Sequence, residues 1–366
     1  MAAPHCIVVG AGILGASIAW HLTESGARVS VLEAGEAGGL ATRDSWAWIN
    51  ASWGHAEPYF RLRQRAMAEW QRLDAAVPGL GWRRCGGLLW DLPPADLQAY
   101  AAQHQAWGYR LAWLDAAQIR QRVPALRQPP TAALWAPDEA QVEPLAASLA
   151  LLAAAQARGA TLHTHTPVRA LVERAGRVVG VRSDAGVQWA DEVVIAAGSG
   201  SAALLQTLGL ALPIQAPEGL LVYSQPTQAL LPCLLMAPQL HVRQTLDGRL
   251  LAGADYGGRV DASDPQAQAK TLWAAVQATL HGTEGLAMAG YSLGQRPTPA
   301  DGLPLVGRPQ QCAGLYLAVT HSGITLAPAL GLFAAQELLQ GPRDALLAPF
   351  HPDRLLPRSD AAEPLA

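Results

Sequence analysis

Three glycines at fixed spacing, Gly10-Ala-Gly12-Ile13-Leu14-Gly15, mark the first place where this chain could do chemistry. They follow a short β-branched run, His5-Cys-Ile-Val-Val9, and lead into Ala16-Ser-Ile-Ala-Trp-His-Leu-Thr-Glu24, which reads as a helix stopped by Gly26. A second strand, Arg28-Val-Ser-Val-Leu32, ends on Glu33. A GxGxxG between strand and helix, with an acid about 20 residues on, is a dinucleotide fingerprint. Gly10 permits the tight turn, Gly12 lets backbone approach a pyrophosphate at the helix N-terminus, and Gly15 lets helix close on strand. Glu33 can accept from ribose hydroxyls and would repel a 2′-phosphate. The fingerprint alone suits NAD or FAD equally.

Other chemistries find little support. Cys6, Cys85, Cys233 and Cys312 are scattered, without a CxxC pair or a histidine at ligand spacing, so neither a disulfide framework nor a metal site is expected. That usage fits a reducing, cytoplasmic setting. The net charge of −3 provides no basic field for nucleic acid. The apolar start lacks a basic n-region, and no later run is long enough for a transmembrane segment. Of 26 basic residues only Lys270 is a lysine, which narrows the options for any lysine-assisted step.

The elements that would position these residues return in separated pieces. Ala41 to Ser52 fits neither period and reads as a polar–aromatic loop, and Tyr59 to Leu73 as a helix. Cys85 to Trp90 is a strand, Pro94 to Val123 two helices broken near Gly108, and strand character resumes at Leu134-Trp135. An Ala/Leu-rich helix opens at Val142-Glu-Pro144, with strands expected in 160–171 and 178–182. Asp191-Glu-Val-Val-Ile-Ala-Ala197-Gly198 is a buried strand entering a Gly/Ser turn. Short strands follow at 220–223, 241–244 and 249–252, then a helix over 266–280 carrying Lys270. A strand, a tight turn and a helix fill 314–339, with Pro328 fitting an early helical turn, and the tail after Pro342 is expected to fray. This is an α/β chain with a discontinuous Rossmann-like domain and an inserted antiparallel-sheet domain. The boundaries read as 1–80, 142–208 and 292–366 for the first, and 81–141 and 209–291 for the second.

Taken together, these blocks resemble the flavoenzyme family of D-amino-acid oxidase, glycine oxidase and sarcosine oxidase. The resemblance rests on the glycine motif with Glu33, the Val142-Glu-Pro144 helix and the Asp191–Gly198 strand. It rests most specifically on Arg296-Pro-Thr-Pro-Ala-Asp-Gly-Leu-Pro-Leu-Val-Gly307 and His321-Ser-Gly-Ile-Thr-Leu-Ala-Pro-Ala-Leu-Gly331. It implies FAD, with Gly10, Gly12, Ile13, Leu14, Gly15 and Glu33 as contacts. Thr42, Arg43 and Ser45 are then candidates for phosphate or ring contacts, Val168 for the adenine side, and Ala197 and Gly198 for the next strand end. Gly323, Ile324 and Thr325 would open a helix whose free N–H groups and dipole face the pyrimidine end of the flavin.

The same resemblance implies oxidation of the C–N bond of an amino acid or secondary amine by hydride transfer to flavin N5, giving an imine that hydrolyses. Arg296 matches the family's carboxylate-binding arginine, and its alternative is a structural salt bridge. His321 would stand above the flavin or serve as a helix-entry residue. Tyr256 and Asp255 could line the cavity or a turn, and His241 and Arg243 are secondary candidates. Trp46, Trp48 and Trp53 suit an aromatic wall, although twelve tryptophans also supply core. The stretch from Pro297 to Arg308 lacks the cysteine by which sarcosine-oxidase-type members attach flavin, so non-covalent FAD is expected. Without their flavin-side lysine, the electron acceptor stays open between oxygen and another carrier. A 2-hydroxy-acid dehydrogenase and a flavin-binding subunit without turnover are the competing functions.

Overall fold

β1 (His5–Val9), buried in four of its five positions, lies inside a six-stranded sheet between two parallel neighbours, β2 (Arg28–Leu32) and Glu192–Ile195. The computed structural model describes residues 3–52, 56–254, 264–339 and 341–356. Across the sheet the order is Leu305–Gly307, Leu315–Val319, Glu192–Ile195, β1, β2, Thr161–His163, parallel except at the Leu305–Gly307 edge. Because these strands run together, their carboxyl ends share one rim. Gly10, Glu33, Ala196 and Thr320 each follow a strand there, which is where open α/β sheets bind ligands.

α1 (Ile13–Glu24) is buried from Ile13 to Thr23, an all-round apolar helix rather than an amphipathic one. The reason is its position: it packs between the sheet and two other apolar helices, Pro144–Ala157 and Gly323–Leu339. Its register against the last helix is pinned by Ser17 Oγ, which donates to the Ala327 carbonyl at 2.7 Å.

The second layer is an eight-stranded sheet, ordered Met288–Gln295, Glu218–Ser224, Leu250–Gly253, Leu240–Gln244, Leu234–Ala237, Gly87–Leu89, Ala132–Ala136, Ala112–Asp115. Among the described strands only the Leu234–Ala237 pairing with Gly87–Leu89 is parallel. One face packs Leu220, Val222, Val242 and Ala252 against Leu272, Trp273 and Val276 of helix Pro265–Thr279. The alternate residue Leu221 faces the rim of the first sheet and lines the cavity between them. Strand Met288–Gln295 pairs with Glu218–Ser224 along its length, so residue 292 falls inside a strand.

Four local expectations are corrected. Ala112–Asp115 is a strand where a helix was expected, because its backbone pairs with Ala132–Ala136 and tertiary pairing overrides propensity. Asp115 then caps the following helix, accepting from the N–H groups of Ala117 and Gln118. The loop over 41–52 contains a short helix, Leu40–Arg43, and a two-residue strand, Trp48–Ile49. Pro328 stands inside the last helix, past its first turn. The bond it cannot make leaves the Ile324 carbonyl to Trp70 Nε1, which donates at 2.9 Å. The tail does not fray over 344–356: Leu347, Phe350 and Leu356 are buried, and Phe350 lies 5.7 Å from the Tyr59 ring.

Candidate functional site

Where the rim of the six-stranded sheet meets the inner face of the eight-stranded one, the chain encloses a cavity of about 650 Å³. Its floor is the glycine motif. A Cβ on Gly15 would lie 1.9 Å from the Gly10 carbonyl oxygen, so α1 is seated directly on the turn leaving β1. Gly10 itself holds φ at +105° and donates its N–H to the Leu32 carbonyl at 2.8 Å. Gly12 is the N-cap of α1 and no acid lies in the first turn, leaving the positive helix end for an anion. The Ile13 N–H meets Thr42 Oγ1 at 3.1 Å, which brings the 40–43 helix over the same site. Glu33 is fixed by two backbone donors, Ala11 N at 2.7 Å and Gly35 N at 3.0 Å. This cradle fits a pyrophosphate with an unphosphorylated ribose beside it.

Val168, Arg169, Ala197 and Gly198 line one end of the cavity, with Gly198 at φ +55°. Gly12, Ile13, Leu14 and Thr42 line it at the glycine motif, and Ser45 lines it beside Ala47. At the other end stand Trp46, Ala47 and Trp48 opposite the helix entry Thr320 to Thr325. Ala47 is a buried non-glycine residue at φ +61°, an uncommon conformation stabilised by its N–H to Ser45 Oγ at 3.1 Å. Thr325 Oγ1 donates to the Trp48 carbonyl at 3.0 Å and ties the helix entry to that wall. The first N–H groups of this helix and its dipole therefore point at the cavity, an environment for negative charge.

Arg296 and His321 also reach this end. Arg296 donates its N–H to the Pro217 carbonyl at 3.0 Å, and among the described residues its guanidinium forms no ion pair with an acid. Its room comes from Gly219: a Cβ there would lie 2.2 Å from Nη2 and 2.6 Å from Cζ. Burial, then the Arg296 and Arg63 charges, push the His321 imidazole down to about 4, so it is neutral at neutral pH.

The remaining candidates separate. Arg43 is exposed and outside the lining, and Gly15 lies beneath the motif rather than on its surface. Tyr256 and Asp255, with Trp53, lie outside the described residues. His241 is buried with its Nε2 3.3 Å from Asp91, Arg243 is buried on Glu143 Oε1 at 3.1 Å, and neither lines the cavity. Lys270 is exposed on helix Pro265–Thr279. No cysteine lines the cavity among the described residues. Burial pushes Cys6 and Cys233 up to about 12 and Cys312 up to about 11, keeping them thiols. Among the described residues no cluster of His, Cys, Asp and Glu could hold a metal ion, and no helix is long and apolar enough to cross a membrane.

Asp44, Leu221, Gly294 and Gln295 line the cavity without having been singled out in the sequence. Asp44 adjoins Thr42 and Ser45, which is a signal. The other three sit on strands whose pairing, not local pattern, brings them in.

Comparison with known proteins gives this cavity a family. The profile described as DAO, FAD dependent oxidoreductase, matches residues 5–337. Glycine oxidase of Pseudomonas putida is 30% identical over 344 residues, covering 88% of this chain and 91% of that protein. Glycine oxidase of Bacillus licheniformis is 28% identical over 347 residues, 92% of this chain and 93% of its own. Among solved structures, L-proline dehydrogenase from P. horikoshii has a TM-score of 0.86 at 20% identity, covering 96% of this chain and 97% of that one, a likeness of fold. With the match running from β1 into the last helix, this chain belongs to the DAO family of FAD dependent oxidoreductases and is an FAD-dependent enzyme.

Proposed function

We propose that the enzyme oxidises the C–N bond of an amino acid, or of a secondary amine bearing a carboxylate, with FAD held non-covalently. The observation that carries this reading is Arg296: a cation without an acidic partner among the described residues, seated in the wall of the cofactor cavity. A fixed guanidinium fork in such a place matches a carboxylate bidentately. The relatives named glycine oxidase support an amine rather than an alcohol beside that carboxylate.

The six-stranded sheet with its helices is assigned to the cofactor. Gly10, Gly12, Ile13, Leu14 and Thr42 would hold the pyrophosphate, Glu33 a ribose, and Val168, Ala197 and Gly198 the adenine end. Ser45, Gly323, Ile324 and Thr325 would hold the ring end. FAD, when bound, would supply a two-electron acceptor for hydride from the substrate α-carbon. The eight-stranded sheet and Trp46 and Trp48 close the opposite side and exclude water from the reacting end.

The protein's own part is positioning. Arg296 orients the substrate through its carboxylate, leaving the α-carbon at the ring end of the cavity. His321, held neutral, adds no second positive charge beside Arg296 and so does not repel a substrate ammonium. With a proton affinity that low it is a poor base at pH 7, so we assign His321 no part in deprotonating the ammonium. The helix entry at Gly323 stabilises negative charge at the ring end through its N–H groups and dipole.

Replacement Arg296→Ala tests the reading. The variant should keep its FAD, lose at least about tenfold in kcat/KM toward carboxylated amines, and change little toward amines that lack a carboxylate. Wild-type kinetics in Arg296→Ala would remove the anchor. Activity on 2-hydroxy acids but not amines would install the hydroxy-acid dehydrogenase in its place.

A further inference from the structure

Behind the tryptophan wall, outside the cavity, lies a fully buried carboxylate that the proposed chemistry does not use. Glu139 sits in the turn between Ala132–Ala136 and Ala140–Gln141, and its own carbonyl accepts from Cys85 N at 3.2 Å and Gly86 N at 2.8 Å. Its side chain accepts three hydrogen bonds. Trp48 Nε1 donates to Oε2 at 2.7 Å, while Ser52 Oγ at 2.7 Å and Tyr109 OH at 3.0 Å share Oε1. The space is reserved for it: a Cβ on Gly87 would lie 2.3 Å from Oε2.

We propose that Glu139 is a positioning residue that clamps the Trp48 indole in the cavity wall and makes the hold on that wall depend on proton concentration. The clamp reaches the site because Trp48 lines the cavity and its carbonyl takes the Thr325 hydroxyl. Trp46 stands edge-on to Trp48 at 5.9 Å and donates to the Leu251 carbonyl, so one indole carries the second. The proposal rests on the reading of the cavity given above.

The surroundings explain the proton dependence. Among the described residues the charged and titratable groups facing Glu139 are Arg63 from helix Glu57–Ala76, Tyr109 from the loop before Ala112–Asp115, and Cys85 before Gly87–Leu89, while His241 stands against the Trp48 indole at 6.3 Å. Arg63 is itself buried. Its Nη2 donates to Asn50 Oδ1 at 2.8 Å, and Ser52 Oγ stands between that oxygen and Glu139. Burial outweighs these stabilising contacts and raises the carboxyl to about 7. Above that pH the three bonds are charge-assisted. Below it a neutral carboxyl, itself a donor, faces three donors, and the Trp48 N–H is the one that cannot rotate away.

Three variants and two readouts test this in the purified, FAD-loaded protein. Ultraviolet resonance Raman of the indole N–H, taken as the wild-type minus Trp48→Phe difference, reports the clamp without needing a substrate. The wild type should show a transition near neutral pH that Glu139→Gln lacks, and Tyr109→Phe should move it to higher pH by removing one stabilising donor. Kinetically, Glu139→Gln should raise KM about fivefold with kcat within about twofold, since charge-assisted bonds become neutral ones. Its KM should lose the pH step near neutrality, which a merely structural residue would not produce. A flat wild-type difference spectrum, a transition surviving in Glu139→Gln, or an unmoved one in Tyr109→Phe would overturn the proposal. If no amine proves to be a substrate, the functional reading fails while the Raman arm still decides this one.

Discussion

Gly219→Ala is the smallest change that should separate folding from function here. Gly219 lies on strand Glu218–Ser224 opposite Gly294, and its φ is not in the left-handed region, so the backbone accepts alanine. The added Cβ would meet Arg296 Nη2 at 2.2 Å, Cζ at 2.6 Å and Nε at 2.8 Å. Ordinary carbon–nitrogen contacts begin at about 3.4 Å, so the guanidinium must retreat by about 1 Å. A long side chain can do that at little cost, and alanine in a strand offsets about 0.5–1 kcal/mol relative to glycine. Folding should therefore be unchanged or slightly improved. Binding should not: displacing a charge-assisted pair forfeits about 1.5–3 kcal/mol, or roughly 10- to 150-fold in kcat/KM. The assay is steady-state kinetics on carboxylated and carboxylate-free amines, alongside thermal denaturation and FAD content. In a double-mutant cycle, Gly219→Ala should add nothing to Arg296→Ala. A kcat/KM within about twofold of wild type, or equal losses for both substrate classes, would refute the role given to Arg296.

Three further expectations follow from the same geometry. Gly15→Ala puts a Cβ 1.9 Å from the Gly10 carbonyl, which is backbone and cannot swing away; it should destabilise by about 1–3 kcal/mol or more and abolish FAD uptake, read by thermal denaturation and flavin absorbance. His321 ordinarily takes its proton near 6.5 but in the fold near 4, so its contribution is complete above pH 6.5 and is lost as pH falls toward 4. His321→Gln should flatten that acid-side decline by about 2 kcal/mol when chemical denaturation at pH 7 is compared with pH 5. Trp70→Phe should cost about 1–3 kcal/mol by leaving the Ile324 carbonyl without its donor beside Pro328, with a lowered melting temperature as the check.

The six-stranded sheet and its glycine turn were legible because their signals are local. The spacing of Gly10, Gly12 and Gly15 and the acid at Glu33 are one contiguous supersecondary unit, and each contact they imply is made within it or at the adjoining strand ends. The C-terminal block was readable for a similar reason, since the turn at His321 and the helix after it are contiguous. The eight-stranded sheet was harder. Met288–Gln295 is half-buried and glycine-interrupted, Leu234–Ala237 buried without alternation, and Ala112–Asp115 is set by its partner strand. Long-range pairing makes those strands, and no window of sequence contains both sides. Arg43 lies between the lining residues Thr42 and Asp44 yet is exposed and outside the lining, which its place in the sequence does not reveal. Glu139 had no sequence signal at all, because its three donors come from residues 48, 52 and 109.

Anaerobic mixing of the purified, FAD-loaded enzyme with D- and L-amino acids, N-methyl amino acids and 2-hydroxy acids tests the central claim most directly. The account predicts that the flavin absorbance is lost with at least one carboxylated amine, that hydroxy acids leave it intact, and that Arg296→Ala slows the loss. Re-admitting air then separates oxygen from another carrier as the acceptor. Bleaching by hydroxy acids alone, by no compound in the panel, or at an unchanged rate in Arg296→Ala would contradict it.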